Sequence, residues 1–232
     1  MSPTRTVRTV ALALAAALLS LLTACAALKP TPVAPPRFFA LGGEPAGALP
    51  SPRAAGGVAA AAAAPSLLVN LSQAAAGFDS QRIIYTRQAY QLEYFGRSEW
   101  VDTPARMLSP LMVSALERAG NFRAVLTPPT SATADLRLDT EIVRLQHEFG
   151  SAPSRVRLTL RATLTDNATR QVLAQIDLDQ RADAASEDAY GGVVAANAAA
   201  NVMLQALVVF CNQVAGQWRA RDGVAARSVG RL

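Results

Sequence analysis

The residue with the clearest chemistry in this sequence is Cys25, which ends the tetrapeptide Leu-Thr-Ala-Cys at positions 22–25. An aliphatic residue, two small residues and a cysteine have the form of a lipobox, in which the cysteine thiol receives a diacylglycerol group. Each buried methylene contributes about 0.8 kcal/mol to membrane binding, and stable anchoring requires more than one acyl chain. We therefore predict that Cys25 is a lipidation site and that its lipid holds the protein on a membrane.

The segment before Cys25 has the organisation of a secretory signal. Arg5 and Arg8 form a basic region, and the uncharged apolar run of residues 10–22 follows. This run is shorter than the roughly 20 apolar residues that a transmembrane helix needs. The sequence therefore predicts that residues 1–24 are a cleaved signal peptide.

The residues after the lipobox predict a cellular location and a tether. An aspartate directly after the lipidated cysteine commonly retains a lipoprotein in the inner membrane of Gram-negative cells, and this chain has Ala26 there. By this sorting rule we expect the outer membrane, facing the periplasm. Residues 25–36 carry four prolines, which is typical of an extended tether below the folded domain.

The other residues with catalytic or metal-binding potential form no recognisable pattern. His147 is the only histidine, and nothing in the sequence spacing places a serine and an acid beside it. Zinc needs several ligands, which one histidine and the distant Cys211 do not supply. Cys211 has no partner for an intramolecular disulfide once Cys25 is lipidated, so we expect a buried structural thiol. The sequence predicts no enzyme, no cofactor and no bound metal.

Composition argues against nucleic acid as a partner. The chain carries 22 Lys and Arg against 17 Asp and Glu, a net charge of +5, but it has no basic run and its only lysine is Lys29. About half of the residues are hydrophobic, at 51%, which is ample for a core. We expect one domain, residues 37–220.

Short strands and one helix are predicted in the first half of this domain. Residues 37–41 and 67–71 favour strands, and the Gly-, Pro- and Ala-rich residues 42–65 between them favour a flexible insertion. Residues 82–86 and 89–95 are typical of a hairpin.

A helix is predicted from Pro104 to Ala119, with Asp102 or Thr103 as its cap and Gly120 as its stop. Pro110 should kink it or make it restart with Ser109 as a second cap.

The second half predicts a meander of three long strands. Apolar residues alternate from Leu136 to Ile142, and the alternation then shifts by one residue, which indicates a β-bulge. The next two strands are predicted to form a hairpin, and a turn centred on Ala168 places the apolar face of one strand opposite the apolar face of the other. It pairs Leu164 with Val172, Leu160 with Ile176, and Arg157 with Asp179 on the solvent face.

A long helix is predicted to end the domain. Ser186 is its expected cap, and apolar residues recur at steps of three and four over residues 187–220. Val194 and Val209 lie beside this seam, so we expect the sheet to cover most of the helix. Residues 221–232 are predicted to be an irregular basic tail. The fold class is α+β: a mixed, mostly antiparallel sheet with a meander, one helix in mid-domain and one long C-terminal helix packed on the sheet.

One group of residues has two interpretations. Five aromatic residues lie within sixteen positions, namely Tyr85, Tyr90, Tyr94, Phe95 and Trp100. They are either core residues with a hairpin surface or an interface, because Tyr and Trp are enriched where proteins meet.

Together these features resemble the ABC-type transport auxiliary lipoprotein family. The resemblance covers nearly the whole mature chain and rests on the lipobox, the aromatic strand at 38–41, residues 79–83, Tyr94-Phe95, Trp100 with Pro104, the meander and the Ala- and Asn-rich last helix. It implies a non-enzymatic outer-membrane lipoprotein of a system that transports phospholipid or other hydrophobic compounds. The implied partners are an MCE-domain protein, which the lipoprotein would dock at the outer membrane, and, through it, an ABC permease and ATPase. The implied assembly is a homo-oligomer.

Two other functions are compatible with the sequence. Small α+β lipoproteins also serve outer-membrane assembly or activate cell-wall synthases. A periplasmic hydrolase would require turnover that substitution of Cys211 or His147 abolishes.

Overall fold

The structure is a computed structural model that describes residues 35–42 and 64–229, with side chains through Arg219. The signal peptide, Cys25, most of the tether and residues 43–63 of the predicted insertion lie outside the described residues. Within these ranges the chain forms nine strands and two helices. They are β1 (Arg37–Phe39), β2 (Ser66–Val69), β3 (Gln73–Ala74), β4 (Arg82–Thr86), β5 (Glu93–Trp100), α1 (Pro104–Ala119), β6 (Ala124–Leu126), β7 (Leu136–Glu148), β8 (Arg155–Asp166), β9 (Val172–Asp183) and α2 (Ala189–Val229).

All nine strands belong to one mixed sheet with β7 at its centre. On one side β7 pairs with β8, and β8 with β9, in a long antiparallel meander. On the other side β2, β3 and β4 lie parallel to successive parts of β7, β6 lies beside β2, and β5 and β1 follow β4. The helices α1 and α2 contact each other, and α2 packs against β8 and β9. The α+β class and the arrangement of its two helices are confirmed.

Helix α1 has the predicted ends but an uninterrupted middle. Pro104 opens it, and Gly120 closes it in the left-handed conformation, with φ of 69°. Ser109 does not cap a second helix. Its hydroxyl donates to the Ala105 carbonyl at 2.9 Å and accepts from the Ser72 N–H at 3.0 Å. Pro110 lies on the exposed side of α1, where a carbonyl that loses its helical partner still meets water.

The bulge predicted in β7 is confirmed. The β7–β8 register shifts between Ile142 and Arg144, so Val143 is the extra residue. Before the bulge Ile142 is fully buried, and after it Leu145 and His147 are the inward-facing residues. The bulge therefore keeps apolar residues on the core side of a thirteen-residue strand.

The predicted register of β8 with β9 is wrong by two residues. Leu164 lies opposite Ala174 instead of Val172, Leu160 opposite Leu178 instead of Ile176, and Arg157 opposite Arg181 instead of Asp179. One residue of the difference arises at the turn, where Thr165 lies opposite Val172, and the other arises from the register shift between Leu164 and Thr165. A shift of two residues keeps every side chain on its predicted face, so the inner and outer faces of β8 are as predicted.

The hairpin of β4 and β5 is antiparallel as predicted, but its second strand is Glu93–Trp100 and not 89–95. Residues 87–92 form the turn, in which Tyr90 has φ of 69°. A tyrosine in this left-handed conformation cannot continue a strand. The short strands β3 and β6, each of two or three residues, were not predicted.

Helix α2 begins later and ends later than predicted. Asp188, and not Ser186, is its cap, because Asp188 Oδ1 accepts from the Gly191 N–H at 2.8 Å. The Ser186 hydroxyl donates to the same Asp188 oxygen at 2.7 Å. The helix continues to Val229, so the expected irregular tail is helical over residues 221–229. Coverage by the sheet is also less complete than expected, since Val194 is 45% and Val209 is 53% exposed.

Candidate functional site

The five aromatic residues of the predicted interface fall into two groups. Trp100 is 3% exposed and belongs to the core. Tyr85 and Phe95 are half-buried and pack on each other, with ring centroids 4.6 Å apart. Phe149 lies 5.6 Å from Tyr85, edge to face. Trp100, Tyr85 and Phe95 are therefore structural residues. Tyr85 and Phe95 form an aromatic cluster with Phe149 that the sequence spacing did not indicate.

Tyr90 and Tyr94 are the two rings that remain accessible. The Tyr90 side chain is fully exposed, and that of Tyr94 is 39% exposed. The Arg82 guanidinium lies 4.8 Å from the centre of the Tyr94 ring, which is a cation–π distance. The exposed part of the predicted interface is thus the β4–β5 turn and the first residues of β5.

His147 lies at the centre of a polar cluster that joins three elements. His147 on β7 and Ser154 before β8 are linked by an Nε2–Oγ hydrogen bond of 2.7 Å. Glu187, just before α2, accepts from the Ser154 N–H at 2.9 Å. Hydrogen bonds from this N–H and from the Ser154 hydroxyl lower the pKa of Glu187. If the hydroxyl donates to Glu187, His147 must donate to Ser154 from Nε2. The spacing of the sequence did not indicate this grouping of a histidine, a serine and an acid.

This cluster nevertheless has the wrong geometry for an activated serine. In a catalytic triad the acid bonds to the histidine, whereas Glu187 bonds to the serine. Ser154 is completely buried, and the adjoining cavity of about 10 Å³ has room for one water molecule at most. The other ring nitrogen, Nδ1, has no hydrogen-bond partner among the described residues. The cluster joins the end of β7 to the start of α2, which is a structural role.

Packing against α2 determines how His147 titrates. A Cβ on Gly192 would lie 2.6 Å from His147 Nδ1, so the helix approaches the ring at a residue that has no side chain. His147 is 2% exposed, and burial lowers its pKa from the ordinary value, although Glu187 and Asp188 act in the opposite direction. The imidazole is therefore neutral at pH 7.

Cys211 lies on the buried face of α2. It is 0% exposed, and burial raises the pKa of its thiol to about 12. A thiol that remains protonated and inaccessible is a poor nucleophile. The prediction of a buried structural thiol is confirmed.

Two further features of the described residues concern metal ions and membranes. Residues 35–42 and 64–229 contain no group of three or more His, Cys, Asp and Glu that would hold a metal ion. The segment Ala189–Arg219 of α2 is long and apolar enough to cross a membrane, but half of its most apolar 18-residue stretch, which has a mean hydropathy of 1.9, is buried in the fold. Its burial against β8 and β9 is that of a core helix.

The sequence matches one protein family along most of its length. The profile of the ABC-type transport auxiliary lipoprotein component matches residues 48–208. The matched region runs from before β2 into α2 and so contains the complete meander. A search of curated proteins found no similar sequence.

Solved structures share the fold at low sequence identity. A crystal structure of a Xanthomonas campestris protein matches with a TM-score of 0.63 and 23% identity, over 68% of this chain and 89% of that chain. A crystal structure of an uncharacterized protein matches with a TM-score of 0.55 and 11% identity, over 77% and 99% of the two chains. These similarities support the α+β arrangement described above.

Proposed function

The chain belongs to the ABC-type transport auxiliary lipoprotein family, and from this membership we propose that it is a non-enzymatic component of an envelope transport system, anchored by lipid to the outer membrane. Its cargo is phospholipid or another hydrophobic compound. The observation that carries the proposal is the family match over residues 48–208, which includes both the hairpin and the meander.

The residues of the chain support the anchoring step. Cys25 follows an apolar run in a lipobox, and Ala26 follows it in place of a retention aspartate. Attachment through a diacylglycerol at Cys25 places the folded domain at the periplasmic face of the outer membrane. The Ser–His pair of the described residues is buried, where a substrate would not reach it. We therefore assign the folded domain a docking role rather than a catalytic one.

The partner that we propose is an MCE-domain protein, which connects this lipoprotein to an ABC permease and ATPase. Docking uses the exposed end of the hairpin, where Tyr90 and Tyr94 remain accessible. The lipoprotein acts as a homo-oligomer. Exposed aromatic side chains of this kind commonly carry a large share of the binding energy in protein interfaces.

Membrane fractionation and mass spectrometry test the anchor. Cys25→Ser should give a folded protein that carries no lipid, and this protein should be absent from the outer-membrane fraction. Tight outer-membrane association of the signal-cleaved Cys25→Ser protein would contradict lipid anchoring.

A pull-down from detergent-solubilised envelopes tests the partner. The tagged wild-type lipoprotein should recover an MCE-domain protein together with the permease and ATPase. Tyr90→Ser should recover less of it at an unchanged melting temperature. Recovery of outer-membrane assembly factors or cell-wall synthases instead would favour the alternative function.

A further inference from the structure

A groove of about 560 Å³ lies between the β4–β5 turn and the outward-facing side chains of β7 and β8. Its principal lining residues are Phe78, Arg87, Tyr90, Leu92, Arg144 and Arg157, and we call it the hairpin groove. The turn forms one wall, and the polar face of the sheet forms the other. It is open to solvent and separate from the buried cluster of His147.

The hairpin groove has more cationic side chains than its surroundings neutralise. Three arginines line it, and Glu148 is the only acidic lining residue. Within the described part of the chain, no ion pair or hydrogen bond is formed by the side chain of Arg144. Arg157 gives only its Nε hydrogen to Asp179, although the charge of Glu148 also acts on it. The groove therefore offers unused guanidinium donors.

The β-bulge in β7 explains why Arg144 faces the groove. If β7 alternated regularly through Val143, with no bulge, Arg144 would point into the core and Leu145 to solvent. With the bulge, Arg144 joins Gln146 and Glu148 on the polar face. Bulges are common beside binding sites because they redirect a side chain in this way.

The opposite wall of the groove is apolar and strained. Tyr90 has φ of 69° and a fully exposed ring, and Leu92 is 39% exposed. An aromatic residue in the left-handed region is an outlier that costs about 1–2 kcal/mol, and such strain is concentrated at functional sites. The turn thus holds an aromatic ring in water at an energetic cost.

The spacing of the arginines indicates the shape of the ligand. Arg157 lies opposite Gln146, so Arg144 is its diagonal neighbour across the ladder, at about 7–8 Å. Side chains on one face of an extended peptide repeat at about 7 Å. Carboxylates at every second position of such a peptide would meet both arginines, and the intervening side chains would face Tyr90 and Leu92.

We propose that the hairpin groove binds an acidic, extended peptide segment of a partner protein, with carboxylates on Arg144 and Arg157 and apolar side chains against Tyr90 and Leu92. The proposal rests on the docking function given above and adds the chemistry of the partner segment. Arg87, which is 64% exposed and 3.5 Å from Glu93, extends the cationic surface at the end of the groove.

The test uses the mature chain and a fluorescent ten-residue peptide of alternating glutamate and leucine. A peptide of alternating lysine and leucine is the control for charge. Fluorescence anisotropy should show binding of the glutamate peptide alone, and binding should weaken about fivefold or more at 0.5 M salt because exposed charges are screened. Binding of both peptides with equal affinity, or of neither, would overturn the proposal.

Matched variants locate the binding. Arg144→Ala should weaken binding about tenfold, which corresponds to about 1.4 kcal/mol, at an unchanged melting temperature. Arg118→Ala removes an exposed arginine at the end of α1 and should change the affinity less than about twofold. Tyr90→Ser should weaken binding, whereas Tyr190→Ser, which alters a 59% exposed tyrosine on α2, should not. Equal losses in the test and control variants would place the binding elsewhere.

The two proposals fail in different ways. If the glutamate peptide binds through Arg144 but no MCE-domain protein is recovered from envelopes, the groove stands and the proposed partner is wrong. If the MCE-domain protein is recovered equally by wild type and Arg144→Ala, and the peptide does not bind, the docking function stands and the groove is not its site.

Discussion

Arg157 Nε donates a 2.8 Å hydrogen bond to Asp179 Oδ1, although Asp179 lies opposite Thr159 in the β8–β9 ladder and Arg157 lies opposite Arg181. The ion pair is therefore diagonal. The Thr159 hydroxyl donates to the same Asp179 oxygen at 2.6 Å, and Arg181 lies 3.4 Å from the other carboxylate oxygen. These contacts lower the pKa of Asp179, with the hydrogen bond from Arg157 as the largest cause. The predicted ion pair of Arg157 and Asp179 therefore forms although the predicted register is wrong by two residues, because the long arginine side chain reaches the diagonal position on β9.

The inward-facing residues of β8 and β9 are buried to different extents, which predicts unequal effects of charges placed on the two strands. Leu160 is completely buried, whereas Ile176 is half-buried opposite Ala162. Leu160→Asp should prevent folding, because an unpaired buried carboxylate costs several kcal/mol. Ile176→Asp should give a folded but less stable protein, and Arg157→Ala should change the free energy of unfolding by about 1 kcal/mol or less. Urea denaturation should show no cooperative unfolding transition for Leu160→Asp and should give the stability of the other two variants, and equal stability of the two aspartate variants would contradict the burial described for Leu160 and Ile176.

Stability should fall as the pH is lowered from 7.5 to 5 because of His147. Burial lowers the pKa of His147 in the folded protein, so the unfolded chain binds its proton first. The loss begins near the ordinary histidine pKa of about 6.5 and stops at the folded pKa, with a slope of at most about 1.4 kcal/mol per pH unit.

The control for this pH effect is His147→Gln, which keeps a polar group near Ser154 and removes the titration. His147 is the only histidine in the chain, so melting curves of this variant should lose most of the slope between pH 7.5 and 5. The carboxylates with lowered pKa values, such as Glu187, titrate below this window. An unchanged slope would show that His147 does not control the acid sensitivity.

Two glycines of α2 should respond to alanine in opposite directions. At Gly192 a Cβ would meet the His147 ring, so Gly192→Ala should destabilise the protein by about 1–3 kcal/mol. At Gly216 nothing lies within 4 Å of the added atom, and Gly216→Ala should stabilise the protein by about 0.4–1 kcal/mol. Thermal melts of the two variants give the comparison directly. A neutral Gly192→Ala would mean that α2 does not approach His147 as described.

The two cysteines should differ strongly in reactivity. In the mature chain without lipid, a maleimide should modify Cys25 within minutes and leave Cys211 unmodified, because the Cys211 thiol is buried and has a pKa of about 12. Unfolding in urea should expose the second thiol. Peptide mass spectrometry identifies the labelled residue, and rapid native labelling of Cys211 would show that the α2 interface opens readily.

Local patterns in the sequence were enough for the features that depend on neighbouring residues. The ends of α1 follow from Pro104 and Gly120, because both residues have fixed conformational preferences. The bulge near Val143 follows from a shift in alternation that only an extra residue explains. The long strands and the apolar face of α2 follow from periodicity. The family resemblance rested on the lipobox, on local aromatic motifs and on the meander followed by the last helix, and the family profile confirms it.

Tertiary structure alone decided which residues meet across the fold. The shift beside the β8–β9 turn set the register, and it depends on turn geometry rather than on the apolar pattern. Trp100 and Tyr90 both looked like surface candidates, but β5 places Trp100 in the core while the turn exposes Tyr90. The cluster of His147, Ser154 and Glu187 joins residues 7 and 33 positions apart. Sequence spacing predicts contacts within an element or between strands joined by a short turn, whereas these contacts depend on the packing of α2 against the end of the sheet, which is a property of the whole fold.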